Sequence, residues 1–370
     1  MSNATAMPSA SYLGLVVLIL AASIWSGTAG GPWVYSDNAP VPKDTIRITT
    51  LGSGTPDVRK EQASSGFLVE LGNGDKLIFD FGTGAYTNLL ATGVPAAELT
   101  KVFLTHLHSD HIADLATFYV NAMFGRREAW EVWGPSAKDP AHGTAAVIDG
   151  LRKFLAWDTH SRRKIDLVGR IDKGDKVIAH EFDYSVENQV IYEQNGVKIT
   201  STPVNHYNTS GPVALRLDWN GLSFTYSGDT TPIPTLNDLA RGSDLLILQN
   251  MGPIKDFAAL SYESQLLLNT SHITPKQAGK ILSDLKPRLA VIHHLTLNDL
   301  SRVPVVTDIR ENYPVGDIHV NEDLDVFEIT KDQIYLKKRL VPYRSWGYWH
   351  AELNWNSQGN TAAQQFRSVA

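Results

Sequence analysis

Cysteine is absent from all 370 residues, which excludes thiolate metal ligands, thiol nucleophiles and disulfides. Positive charge is scarce too: 33 Lys and Arg stand against 39 Asp and Glu, a formal net charge of −6. A protein that grips a polyanion usually presents a basic face, and the one dense basic cluster before the C-terminal part is Arg162-Arg163-Lys164. A nucleic-acid partner is therefore not expected. No charged residue occurs between Met1 and Ser36, and within that stretch residues 13–22 form a continuous apolar run. The run suits the h-region of a secretory leader, about 7–15 residues long, with Gly27 and Ala29 at the small-residue positions ahead of cleavage. An uncleaved anchor ranks second and a buried N-terminal helix third, because a membrane span needs about 20 apolar residues. Residues 1–30 are thus read as a leader or anchor, the protein as periplasmic or secreted, and no other membrane partner is expected.

What the sequence does contain is concentrated at Thr105-His106-Leu107-His108-Ser109-Asp110-His111, directly after the apolar run Val102-Phe103-Leu104. Four metal-binding groups lie within six residues, and no regular helix or strand presents all four on one face. A strand running into a tight loop can. His106 and His108 then leave the strand end on one side, and the turn swings Asp110 and His111 into the same space. Imidazole and carboxylate suit Zn²⁺, with Mn²⁺ or Fe open alternatives.

Further candidates follow in order. His206 comes after the strand-like run 197–202, Asp229 closes Leu222-Ser223-Phe224-Thr225-Tyr226-Ser227-Gly228, and His293-His294 end Leu289-Ala290-Val291-Ile292. Each stands at a strand end, where loops on a rigid scaffold carry function.

In these residues the chain resembles the metallo-β-lactamase superfamily, whose signature is HxHxDH, a distant His, an Asp and a last His. It looks most like the branch holding ribonuclease Z, certain arylsulfatases and class II cyclic-nucleotide phosphodiesterases. The likeness spans roughly residues 46–334, including Leu51-Gly52-Ser53-Gly54-Thr55-Pro56, Phe79-Asp80-Phe81-Gly82-Thr83-Gly84, Trp133-Gly134-Pro135, and the segments starting at Ser227 and Ser271. The resemblance implies two metals, Zn²⁺ first. His106, His108 and His206 would hold one, Asp110, His111 and the last histidine the other, and Asp229 would bridge. His294 is favoured over His293 because the family's histidine precedes an apolar residue and Leu295 follows His294. A hydroxide shared by the two cations would be the nucleophile, oriented by Asp110, while Asp80 would fix a ligand histidine. His272, ahead of a helix start at Thr274-Pro275, would deliver a proton to the leaving oxygen.

The chain departs from ribonuclease Z at the strand after Asp229. That family carries a His-Glu pair whose Glu supports the acid histidine; here Leu248 and Gln249 stand in their places. The expected function is accordingly dinuclear hydrolysis of small sulfate, phosphodiester or carboxylic esters. Ribonuclease Z-like tRNA processing is the alternative, and a non-catalytic metal-binding relative the third.

Apolar strands broken by Gly, Asn and Asp turns, as at residues 67–75, suggest hairpins, and helical patterns lie at residues 235–241 and 275–285. Strand-rich halves with outer helices make a four-layer αββα sandwich of the α/β class, here over residues 31–340, with the metals along one edge. An insertion at about 140–195, with Trp157, Phe182 and Tyr184, is read as a substrate lid. Residues 341–370 form an aromatic-rich tail suited to core packing, to covering the active-site edge or to a homodimer contact.

Overall fold

The computed structural model describes residues 35–36, 39–163, 173–297 and 301–341. The expected leader at 1–30 and the aromatic tail beyond Val341 lie outside the described residues, as does Lys164 of the basic cluster.

Period-two apolar alternation builds the first sheet from Ile46–Gly52 (β1), Gly66–Leu71 (β2), Lys76–Phe81 (β3), Lys101–Phe103 (β4), Trp130–Pro135 (β5) and Val177–Phe182 (β6). The second sheet takes Gln189–Gln194 (β7), Val197–Pro203 (β8), Val213–Trp219 (β9), Leu222–Tyr226 (β10), Leu245–Gln249 (β11), Leu289–His293 (β12) and Ile318–Val320 (β13). The chain then returns to the first sheet with Asp325–Ile329 (β14) and Ile334–Arg339 (β15). From residue 46 onward the strand orders are β15-β14-β1-β2-β3-β4-β5-β6 and β13-β12-β11-β10-β9-β8-β7. The β2–β3 hairpin turns through Asn73-Gly74, with Gly74 at a φ of 96° that a larger residue would resist.

Alternation sorts each strand's side chains between layers. Leu77 and Phe79 face the second sheet while Ile78 faces outward; on β11, Leu245 and Ile247 face inward and Leu246 and Leu248 outward. The outer face of the first sheet is covered by helices Ala85–Ala91 (α1), Leu115–Ala122 (α2) and Thr144–Phe154 (α3). That of the second is covered by Pro234–Ala240 (α4), Pro275–Leu285 (α5) and Arg302–Arg310 (α6). The result is the αββα sandwich. Helix α5 starts where the sequence indicates: Thr274 and Gln277 form a reciprocal capping box with Pro275 in the first turn, and Ala278, Ile281, Leu282 and Leu285 fall on its buried stripe.

Strand direction determines where the chemistry gathers. β3, β4 and β5 are mutually parallel, as are β10, β11, β12 and β13, and β8 runs with β10 because both pair antiparallel with β9. The loops after β3, β4, β8, β10, β11 and β12 therefore leave from C-terminal strand ends.

Two of the aromatics expected in a lid pack with the sheets instead. Phe182 is buried in the core between the sheets and Tyr184 packs against it, because β6 extends the first sheet in register with β5. Trp157 is 81% exposed on a short helix. Residues 164–172 of this stretch lie outside the described residues.

Candidate metal centre

Leu104 donates its backbone N–H to Trp133, and Thr105 carbonyl accepts from Val213, so the end of β4 is tied to both sheets. The chain then turns into one helical turn, Ser109–Ile112, closed by His111 N–H to His108 carbonyl at 2.9 Å. This turn brings Asp110 and His111 back over the strand end. Gly82 sits directly beneath it: a Cβ there would lie 1.9 Å from the Asp110 carbonyl oxygen, so only a bare backbone fits.

Seven side chains converge in two adjoining groups. His106, His108 and His206 form one, and Asp110, His111, Asp229 and His294 the other, with ligand atoms in each group all within 4.8 Å of one another. His108 Nδ1 lies 3.1 Å from His106 Nε2 and 3.2 Å from His206 Nε2. His294 Nε2 lies 3.1 Å from Asp110 Oδ2 and 3.2 Å from Asp229 Oδ2; His111 Nε2 lies 3.5 Å from Asp110 and 3.6 Å from Asp229. Asp229 is also 3.8 Å from His206, which places it between the groups.

One nitrogen of most of these rings is tied outside the cluster, which leaves the other facing the cluster. His206 Nδ1–H donates to Ser271 carbonyl at 2.8 Å, and His111 Nδ1–H to Asp80 Oδ2 at 2.7 Å. His106 Nδ1–H reaches Thr105 Oγ1 at 3.1 Å, and Thr105 in turn donates to Asp80 at 2.7 Å. One buried carboxylate thus orients two histidines, one directly and one through a hydroxyl. Asp80 is locked in place by Thr105 N–H at 2.8 Å and adopts a φ of 50°.

Electrostatics show the same convergence. Burial, with the His111 charge next, holds His106 well below the ordinary imidazole value. Burial would lower His111 also, but Asp229, Asp80 and Asp110 outweigh it and push it well above. Asp110 and Asp229 are penalised by burial, yet His111 and His294 hold both well below the carboxylate range. Even so, His111 Nε2 and Asp229 Oδ1 are buried and lack a hydrogen-bond partner among the described residues. A buried imidazole nitrogen and carboxylate oxygen left unpaired among other imidazoles and carboxylates fit a divalent cation.

His293 goes elsewhere. It ends β12 on the inner face, its ring 4.7 Å from Phe67 and 5.7 Å from Tyr226, with Ser65 Oγ 3.1 Å from Nε2 and Asn321 Nδ2 donating to Nδ1 at 3.0 Å. His294 leaves the strand at a φ of 60° and turns into the cluster.

His272 does reach the cluster, grouped with His206 and Asp229, but its setting differs from the one expected of a proton donor. Burial drives its pKa down to about 3. The Gln249 amide orientation that satisfies all its neighbours has Oε1 accepting from His272 Nδ1 at 2.8 Å and Nε2 donating to Thr230 carbonyl at 3.1 Å. A neutral amide cannot hold an imidazolium as a carboxylate would, so Nε2 of His272 is an acceptor.

A family model described as the beta-lactamase superfamily domain matches residues 88–295. The chain belongs to the metallo-β-lactamase superfamily. Among its relatives, ribonuclease Z of Mycobacterium marinum is 32% identical over 206 residues, 55% of this chain and 69% of that protein. Among solved structures, the metallo-β-lactamase fold protein YhfI from Bacillus subtilis superposes with a TM-score of 0.56 at 18% identity, covering 77% of this chain and all of that one. The short form of human tRNase Z gives 0.54 at 19% identity, over 76% and 98%. The fold of this metallo-β-lactamase relative and its His/Asp cluster together point to divalent metal binding and to a metal-dependent hydrolase.

Sequence reasoning passed over Thr105, although its place between an apolar strand and the histidines was a usable signal. It also passed over the wall beside the cluster, where Thr55, Asp57, Asn250, Met251 and Asp256 meet His272 and His294. Only the turn residues Gly252-Pro253 hinted that the chain bends there.

Proposed function

We propose that the chain hydrolyses phosphodiester bonds with two divalent cations, one held by His106, His108 and His206, the other by Asp110, His111 and His294, with Asp229 shared. The observation that carries this reading is the pair of adjoining His/Asp groups with buried His111 Nε2 and Asp229 Oδ1 that have no hydrogen-bond partner among the described residues. Cations bound there supply a water acidic enough to ionise near neutral pH and a Lewis acid for developing negative charge. The protein's own contribution is orientation. Asp80 and Thr105 fix two ring tautomers, and Ser271 fixes a third. Asp110 Oδ2, 3.1 Å from His294, is placed to accept a proton from the attacking water. His272 Nε2, as an acceptor, is placed to receive a hydrogen bond from substrate or water.

The phosphodiester class is supported by relatives named as ribonucleases. Processing of RNA itself is the second reading, and those same relatives favour it. Against it stand Leu248-Gln249 in place of His-Glu, and a basic cluster in which Arg162 pairs with Asp158 and Arg163 with Asp175.

The test uses the full-length protein, stripped of metal and reloaded with Zn²⁺ or Mn²⁺. It should cleave bis-p-nitrophenyl phosphate, and Asp110→Ala should lower kcat at least about 100-fold while the circular dichroism spectrum is unchanged. Turnover of p-nitrophenyl sulfate alone would move the substrate to sulfate esters. Efficient cleavage of a tRNA precursor would establish the second reading.

A further inference from the structure

A pocket of about 460 Å³ opens beside the metal centre, between the Thr55–Asp57 turn and residues 250–272. His272 and His294 line it and also belong to the His/Asp cluster, so an occupant of the pocket would adjoin a substrate at that cluster. Pro56, Met251, Leu260 and Leu268 give it apolar walls. Two carboxylates, Asp57 and Asp256, also line it, both exposed and without an ion-pair partner among the described residues. No lysine or arginine is among its described lining residues; Arg59, Lys255 and Arg302 adjoin the lining in sequence, and Arg302 is paired with Glu322. Among its lining residues Asn250 is fully buried, and neither Nδ2 nor Oδ1 has a partner among the described residues.

We propose that this pocket binds the organic group of the substrate and that it selects a compact group carrying positive charge. The proposal rests on the hydrolase reading above and names its substrate class. Three features lead there independently. The volume, near the lower end of the roughly 300–1,000 Å³ range of small-molecule sites, fits one small group and not a stacked polynucleotide. Apolar walls require a carbon body. The uncompensated carboxylates attract a cation and repel the further phosphates that any nucleic acid would bring. Asn250, whose Nδ2 and Oδ1 both lack a partner among the described residues, is there to meet a polar atom of the group.

The test employs three p-nitrophenyl phosphodiesters of matched size: the phosphorylcholine ester, its neutral 3,3-dimethylbutyl isostere, and the 2-carboxyethyl ester. For the metal-loaded full chain, kcat/KM should fall in that order, the cation exceeding the anion by at least about tenfold, since each exposed carboxylate contributes up to about fivefold. The double variant Asp57→Asn, Asp256→Asn should bring the ratio to within about twofold of unity, mainly through KM. Calorimetric binding of phosphorylcholine and 2-carboxyethyl phosphate should give the same ranking without turnover. That separates the two readings: correct ranking with no hydrolysis of any ester removes the phosphodiesterase reading and leaves the pocket assignment. Equal binding of the two charges, or a preference that persists in the double variant, overturns the pocket assignment.

Discussion

Replacing Asp80 by Asn changes one atom and should weaken metal binding at both ligand groups. The carboxylate accepts from Thr105 N–H and Thr105 Oγ1–H and from His111 Nδ1–H, at 2.8, 2.7 and 2.7 Å. In the amide, Oδ1 can keep the backbone N–H, but Nδ2 then faces both Thr105 Oγ1 and His111 Nδ1. His111 must turn to the tautomer protonated at Nε2, the atom aimed between Asp110 and Asp229. Thr105, no longer able to donate to position 80, donates instead to His106 Nδ1, which moves that proton to Nε2 as well. Losing a partner of this kind typically costs about 10–100-fold in metal affinity, or about 1.4–2.7 kcal/mol. Asn is the appropriate probe because it tolerates the φ of 50° at this position, where Ala would add backbone strain. Competition against a chromophoric chelator would measure both equivalents, with near-UV circular dichroism as the control for folding. Wild-type affinity at both sites in a folded Asp80→Asn protein would refute the relay.

Three other outcomes follow from the packing. His294→Ala should lose one metal equivalent in the same titration, whereas His293→Gln should keep both and lower stability by about 1–3 kcal/mol, because Ser65 and Asn321 lose a buried partner. Metal-free protein should lose stability as pH falls below 6.5, since burial first of all holds His106, His108, His272 and His293 below that value and the unfolded chain takes up protons the folded one refuses. His111, raised by its three carboxylates, acts in the opposite sense, its stabilisation being complete below 6.5 and lost as pH rises through its folded value; denaturant midpoints across pH 5–8 would show a steeper acid limb. Arg126→Met should be neutral or stabilising, because this buried guanidinium, pushed down to about 9 by desolvation, faces Phe118 and Trp130 and has no carboxylate partner among the described residues. A fall in thermal midpoint equivalent to more than about 2 kcal/mol would contradict that reading.

The convergence of the His/Asp cluster was largely legible because most of its information is local. Four donors share one loop, and the three distant ones each close an apolar run, so strand ends and ligands could be paired off along the chain. The choice between His293 and His294 was also encoded, in the alternation that puts Val291 and His293 on the inner face and releases His294 at the strand end. The αββα layering followed from the same alternation. What escaped the sequence depends on distant segments meeting. Phe182 and Tyr184 read as lid aromatics because nothing local revealed that β6 would extend the first sheet. The pocket wall at residues 250–272 has no periodicity to betray it, and Asp57 joins it from nearly 200 positions away. The surroundings of His272 were hidden for a related reason: burial and the Gln249 amide beside it are not recorded by spacing.

The bare backbone at Gly82 makes the centre vulnerable from a place with no chemistry of its own. An inherited or engineered alanine there would leave every donor atom intact, and any tally of the coordinating side chains would score the variant as sound. Yet the added methyl would wedge up the turn that carries Asp110 and His111, and the two halves of the cluster would part company.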